Sequence, residues 1–198
     1  LSFLKATWNS MANRLTQITT GAGDGGTTRL ADGKSVSKSS LRIDAIGSVD
    51  ELNAAVGIFL AALPHLDKAN FSEFDDIQMF CQQVQNELFN VGGELASPSN
   101  HFLSGSATDD IEHFIEQWNA TLPALKEFVI PGQNLPSAHA HFARCVARRA
   151  ERDVVRLGEQ ETISTELLVY LNRLSDAFFI IARLTGRADS TQEPQWQK

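Results

Sequence analysis

The feature that most constrains this chain is an apolar period of three to four residues that returns in one segment after another. Between Ile43 and Leu63, the residues Ile46, Val49, Leu52, Val56, Leu60 and Leu63 recur at helical spacing, and Pro64 ends the run. A second segment, about 75–95, carries Ile77, Phe80, Val84, Leu88 and Val91, with Gly92 and Gly93 weakening its last turns. A shorter one, about 108–125, puts Ile111, Phe114, Ile115 and Trp118 on one side. The pattern predicts two further long helices, about 137–160 and 164–184, after an extended and turned stretch, FVIPGQNLPS, at 128–137. No β-rich block alternates with these helices, which disfavours a Rossmann-type sheet, and no repeat of fixed length points to a solenoid. The expected fold is all-α, a five-helix antiparallel bundle with a Gly/Thr-rich N-terminal arm over residues 18–40. Whether that arm is an ordered loop or disordered stays open at this point.

At 198 residues the chain supports one good core and hardly two. Residues 11–190 are expected to form a single domain, with 1–10 an upstream or added extension before Met11 and 191–198 a polar tail. The net charge of -7 argues against nucleic acid or an anionic membrane as the main partner, while leaving room for a local basic pocket. The lone pair of cysteines, Cys81 and Cys145, sit far apart and read as thiols of a reducing compartment. No uninterrupted apolar run is expected to span a bilayer, and LSFLKATWNS at the start has no clear cleavage pattern, so the cytoplasm is the expected location.

Three groups of residues could carry chemistry. TTGAGDGGTT (19–28) can bring backbone N–H groups close to phosphate oxygens, with Thr20, Thr27 and Thr28 adding hydroxyls. Asp24 could orient that loop or sit beside a phosphate-bound Mg²⁺, and Lys38 could fold back on the same anion. The stretch is neither a P-loop nor a dinucleotide fingerprint, and a turn-forming surface loop is the alternative. In ARCVARRAERDVVRL (143–157), Arg144, Arg148, Arg152 and Arg156 recur every four residues, while Val146, Ala150, Val154 and Leu157 offer the other side for packing. Such a stripe suits either a solvated face or phosphates held by bidentate guanidinium bonds. Asp50, Glu51 and Glu151 are the carboxylates placed to compensate it, Asp50 either solvated or orienting one stripe arginine. His141 and Cys145, four apart, are too few for a metal site, and no metal-binding residues are assigned. No Ser-His-Asp order or nucleophile elbow is evident.

These motifs together resemble the PduO-type ATP:corrinoid adenosyltransferases. ITTGAGDGGTTRL (18–30) looks like the family's ATP loop, and VSKSSLRIDAIGSVDELNAAVG (36–57) like its link into the first helix. FVIPG (128–132), ARCVARRAERDVVRL and YLNRLSDAFFIIAR (170–183) match the remaining signatures, in family order, from Asn13 to Arg187. The resemblance implies a homotrimer with active sites between subunits, using ATP, Mg²⁺ and a cobalamin or other corrinoid substrate. It implies nucleotide contacts from Thr20, Gly21, Ala22, Gly23, Asp24, Thr28 and Lys38, from Arg148 and Asn172, and from the segment containing Arg149, Glu151 and Arg152. Asp50 resembles the carboxylate that supports the corrinoid side through an arginine of a neighbouring chain, with Arg144 as its counterpart. Phe128 resembles the aromatic residue that displaces the lower axial ligand of cobalt. The implied reaction is attack of Co(I) on C5′ of ATP with loss of triphosphate, fed by a reductase and serving adenosylcobalamin-dependent enzymes. Gly21-Ala22 departs from the family, which commonly has Lys or Arg in this part of the loop, and weaker ATP binding is expected unless Arg29 or Lys38 compensates. That departure sustains one alternative, a non-catalytic ATP or corrinoid sensor or carrier on the same bundle.

Overall fold

The structure, a computed structural model, describes residue 19, residues 21–189 and residues 192–197. Among these, five α-helices follow one another: α1 (Leu41–Ala62), α2 (Phe74–Ala96), α3 (Ala107–Asn119), α4 (Leu135–Gly158) and α5 (Thr165–Arg187). α4 lies at the centre, packed against both α1 and α5, while α2 covers α1 and α3 covers α5. The apolar positions of the sequence supply the core: Val49, Leu52, Val56 and Phe59 from α1, Ile77, Val84 and Leu88 from α2, Ile111 from α3, Val146 and Val154 from α4, and Leu171, Leu174 and Phe178 from α5. Each side chain of this size contributes about 1.5–3 kcal/mol on burial, so helix packing dominates the fold.

The expected helices form, with displaced ends that have local causes. α3 stops at Asn119 rather than near 125, because Pro123 restricts Leu122 and cannot continue the ladder. α4 begins two residues earlier than expected, with Asn134 accepting from Ser137 N at 2.9 Å and Pro136 tolerated in the first turn. Gly92 and Gly93 lie within α2 and do not break it; a Cβ at 93 would lie 3.4 Å from the Phe102 ring, so glycine admits that ring close to the helix.

The arm is ordered where it is described. β1 (Thr27–Arg29) pairs antiparallel with β2 (Ser35–Ser37), with Thr28 opposite Val36. Leu30 is buried, and Ala31 N donates to Ala96 O at 3.0 Å, which docks the hairpin on the C-terminal end of α2. Arg42, buried at the start of α1, donates to Leu95 O at 2.5 Å and to Glu161 at 2.6 and 3.1 Å. One guanidinium thus ties the beginning of α1 to the end of α2 and to the α4–α5 connection. Glu94 does similar work nearby: its carboxylate accepts from Ser164 Oγ at 2.8 Å and from the backbone N–H of Phe102 and Leu103. Burial opposes ionisation of Glu94, but these bonds and His101 outweigh it and hold the carboxyl below its ordinary range.

The first helix is apolar in composition without being an uninterrupted apolar run, since Arg42, Asp44, Asp50 and Glu51 lie within it. Residues Leu41–His65 form a helical stretch long and apolar enough to cross a bilayer by length and composition. In the bundle, however, Val49, Leu52, Val56 and Phe59 of that stretch face the core.

The segment after α5, read from sequence as a polar tail, is tied down over residues 192–197. Arg183 donates to both carboxylate oxygens of Glu193, at 2.7 and 2.9 Å, and to Pro123 O at 2.6 Å. Both side chains of this ion pair are under 5% exposed, at 4% and 3%. The strap then runs beside the 128–130 segment, where Trp196 N donates to Phe128 O and Ile130 N to Pro194 O, each at 2.8 Å. Removing one partner of a buried pair leaves an uncompensated charge. We expect Glu193→Ala to lower unfolding free energy by about 3 kcal/mol in urea titrations, and the double change Arg183→Met/Glu193→Leu to recover more than half of that loss.

Candidate active site

The glycine-rich turn builds a small cradle from its backbone. Gly21 and Gly26 have φ values of 67° and 80°, a region that favours glycine. Asp24 N donates to Gly21 O at 3.3 Å, Gly26 N to Gly23 O at 3.2 Å, and Lys38 N to Gly26 O at 2.9 Å. The last bond turns Lys38 back over the loop. A Cβ at position 23 would meet Lys38 Nζ at 2.9 Å, so glycine there is what lets the ammonium come so near the turn. Lys38 and Asp24 are exposed, Thr28 is half-buried, and Thr20 lies outside the described residues. The turn therefore presents one cation and one carboxylate beside a concave backbone, which suits a metal-bound polyphosphate.

α4 supplies the second group. Its buried stripe of alanine and valine turns Arg148, Arg149, Arg152 and Arg156 to the surface, with Arg144 half-buried. The arginines are not equivalent. Arg149 pairs with Glu51 of α1 at 2.5 Å, and Arg156 pairs with Asp153, which also accepts from Ser48. Arg152 donates to Arg148 O at 3.0 Å. Arg148 has no side-chain partner among the described residues, so its guanidinium remains available to an anion. Glu151 is fixed differently: it accepts from Asn172 Nδ2 at 2.9 Å, Asn172 Oδ1 accepts from Arg173 Nη1 at 2.9 Å, and Arg173 pairs with Glu112 at 2.7 Å. The structure thus brings Glu151 and Asn172 together across α4 and α5. Asp50 is exposed, and its carboxylate meets no partner among the described residues.

The third group is a cleft of about 460 Å³ between the 125–129 segment, α4 and α5. Phe128 stands at its edge, 80% exposed, although its backbone is held by the strap. An aromatic ring held out into water costs free energy unless something covers it. His141, Arg144 and Phe179 line the cleft interior. His141 and Cys145, four apart in sequence, differ in environment: His141 is buried and Cys145 exposed. The strap residues Glu193 and Trp196 escape sequence reasoning. A lone buried glutamate in a polar C-terminal stretch has no signature without its partner Arg183.

Burial pushes the His141 pKa down to about 4, Arg144 pushes the same way, and Glu193 pulls weakly against both. Lys126 and Glu127 also line the cleft, and Phe179 lies against the imidazole at 6.1 Å between ring centroids. The unfolded chain takes up this proton below about pH 6.5 and the folded chain only below about pH 4. Stability carried by neutral His141 is therefore complete above pH 6.5 and lost as pH falls towards 4, by up to about 3 kcal/mol. Chemical denaturation at stepped pH is expected to show that slope in the native sequence and a shallower one in His141→Phe.

Comparison with known proteins finds relatives over nearly the whole chain. The cobalamin adenosyltransferase family pattern matches residues 18–185. A cobalamin adenosyltransferase of Cupriavidus metallidurans is 43% identical over 188 residues, covering 95% of this chain and 98% of that protein. A corrinoid adenosyltransferase of Bacillus subtilis is 35% identical, covering 92% and 93%. Among solved structures, a phenylalanine-to-alanine variant of a PduO-type ATP:corrinoid adenosyltransferase from Lactobacillus reuteri, complexed with cobalamin and ATP, superposes with a TM-score of 0.82. It shares 30% identity and covers 92% of this chain and all of its own. Fold, motif order and length agree throughout, and the chain belongs to the cobalamin adenosyltransferase family.

Proposed function

We propose that this chain transfers the 5′-deoxyadenosyl group of ATP to the Co(I) centre of a reduced corrinoid, forming adenosylcobalamin and releasing triphosphate. The observation that carries the reading is the coexistence, on a family-length match, of an anion-binding arginine face and a cleft edged by an exposed phenylalanine. Co(I) is itself a strong nucleophile, so the protein needs no covalent nucleophile or general base. Its task is to align C5′ with cobalt and to stabilise charge that builds on the departing phosphates.

Arg148 and Arg152 meet the phosphates from α4, and the Gly21–Thr28 turn with Lys38 meets them from the arm. Lys38 supplies near the turn the positive charge that Gly21-Ala22 lacks. Asp24, whose carboxylate accepts no hydrogen bond from a described residue, would be the side chain to hold a Mg²⁺ beside the phosphates, and such an ion would neutralise phosphate charge. Glu151 and Asn172, already bonded to each other, set the nucleotide side of α4 against α5. Arg149, paired with Glu51, supports the same face.

On the corrinoid side Phe128 occupies the lower face of the macrocycle. An apolar ring there excludes an axial donor from cobalt, and loss of that donor makes reduction of Co(II) easier. Asp50 has no partner among the described residues and Arg144 Nε is buried without one, which supports their pairing across neighbouring protomers of a homotrimer. The enzyme works in the cytoplasm, receives its electron from a separate reductase, and hands adenosylcobalamin to enzymes that use it.

The direct test is an anaerobic assay with cob(II)alamin, a strong reductant, Mg²⁺ and ATP, following adenosylcobalamin by absorbance and mass. Folded protein that binds ATP and yet forms no product at any ATP concentration sinks the enzymatic reading in favour of a sensor or carrier. Arg148→Ala is expected to lower kcat/KM for ATP about a hundredfold while leaving corrinoid binding in place. Phe128→Ala is expected to keep ATP binding and lose adenosylation when reductant is limiting. Equal activity of native and Phe128→Ala protein under those conditions would remove the role assigned to the ring.

A further inference from the structure

The cleft beside Phe128 contains hydrogen-bonding capacity that the chain itself leaves unused. His141 is 4% exposed, yet among the described residues neither ring nitrogen has a partner, and Arg144 Nε, one helical turn later, is likewise buried and unbonded. Buried polar atoms of this kind are uncommon and unfavourable unless something arrives to meet them. Packing does not call for an imidazole here: Ala140 and Ala143 fill the adjoining core positions, and the nearest ring is the apolar Phe179. A phenylalanine would occupy the same space without orphaned nitrogens. The imidazole is thus costly to the folded chain alone, and it lines the cleft edged by Phe128.

Its chemistry narrows what would satisfy it. Neutral imidazole offers one acceptor and, facing away from it, one donor; its acceptor nitrogen together with the Arg144 Nε donor makes the complement of a primary carboxamide. Corrinoids carry primary carboxamides around the edge of the macrocycle. We propose that His141 binds a peripheral carboxamide of the corrinoid, its acceptor nitrogen taking the amide N–H while Arg144 Nε donates to the amide oxygen, and so selects amidated corrinoids. This rests on the adenosyltransferase reading given above. Both ring nitrogens are covered as the chain stands, so the amide reaches them as the cleft wall yields. Phe128, 80% exposed and anchored through its backbone, is the side chain free to swing.

The test compares native protein, His141→Phe and His141→Gln by equilibrium dialysis with cob(II)alamin, with ATP, and with a fully esterified corrinoid that keeps its carbonyls but has no amide N–H. His141→Phe is expected to bind cob(II)alamin about tenfold more weakly, the size of one satisfied buried hydrogen bond, with ATP affinity unchanged. Glutamine, which again offers a donor and an acceptor, is expected to restore part of the loss. Native protein should prefer the amide to the ester, and His141→Phe should lose that preference. A phenylalanine variant that binds cob(II)alamin as tightly as native protein overturns the proposal. So does one that is weakened equally towards amide and ester, since that is the behaviour of a residue that only shapes the cleft. Binding is read without turnover, so failure of the native protein to form adenosylcobalamin would count against the enzymatic reading alone.

Discussion

The burial of one face of α4 between α1 and α5 is the constraint on which the rest of the molecule depends. Ala143, Val146, Ala147, Ala150, Val154 and Leu157 are each nearly inaccessible, and small residues among them let the neighbouring helices approach closely. Fixing that face also fixes the opposite one. Arginines at four-residue spacing cannot turn inward without burying unpaired charge, so core packing holds Arg148 and Arg152 in the solvent, where phosphates can reach them. The same helix carries His141 and Arg144 a turn or two earlier, so one rigid rod sets the offset between the nucleotide face and the Phe128 cleft. A site built this way resists relative drift of its two halves, which matters for a reaction that depends on alignment rather than on a protein acid or base.

Segments that no helix can hold are secured by buried polar hubs. Arg42 joins the first helix to the end of the second, Glu94 collects backbone donors from the 101–103 stretch, and Arg183 grips both Pro123 O and Glu193. Each hub satisfies loop backbone or a helix end that would otherwise face the core unpaired. Buried ion pairs are a weak source of net stability, but their directional bonds fix where a loop lies. For the Phe128 segment that distinction is functional: an exposed aromatic side chain gains no packing of its own, so the strap and Arg183 have to set its backbone.

The helices were legible because each obeys a single local rule, apolar recurrence broken by proline or capped by a polar residue. The burial of Val49, Ile77, Val146 and Leu174 follows from their spacing alone. The arginine face was legible for the same reason, since four-residue spacing places residues together on any straight helix. What escaped was set by contacts between distant parts of the chain. The β1–β2 hairpin is only three residues a side, too short for an alternation pattern to register. The Arg183–Glu193 pair joins a helix interior to a strap whose composition looks like tail, and His141 gains its character from Phe179 and Arg144 rather than from its sequence neighbours. Asp50 shows the converse. Its part rests on the family resemblance alone, and among the described residues its carboxylate meets no partner.

Charge is distributed unevenly enough to matter for both binding and release. α4 carries five arginines against two carboxylates, although the chain as a whole has a net charge of -7. The field therefore favours polyanions along one helix, while the rest of the chain carries the excess negative charge. Exposure of Arg148 and Arg152 then limits how tightly the face can hold what it attracts, because solvent and salt screen each guanidinium. A deeply buried cluster would grip triphosphate, the more highly charged product, more strongly than ATP and would stall after one turnover. An exposed stripe, backed by the Glu51–Arg149 and Glu151–Asn172 contacts, would instead hold a polyanion by position while leaving it a path back to water.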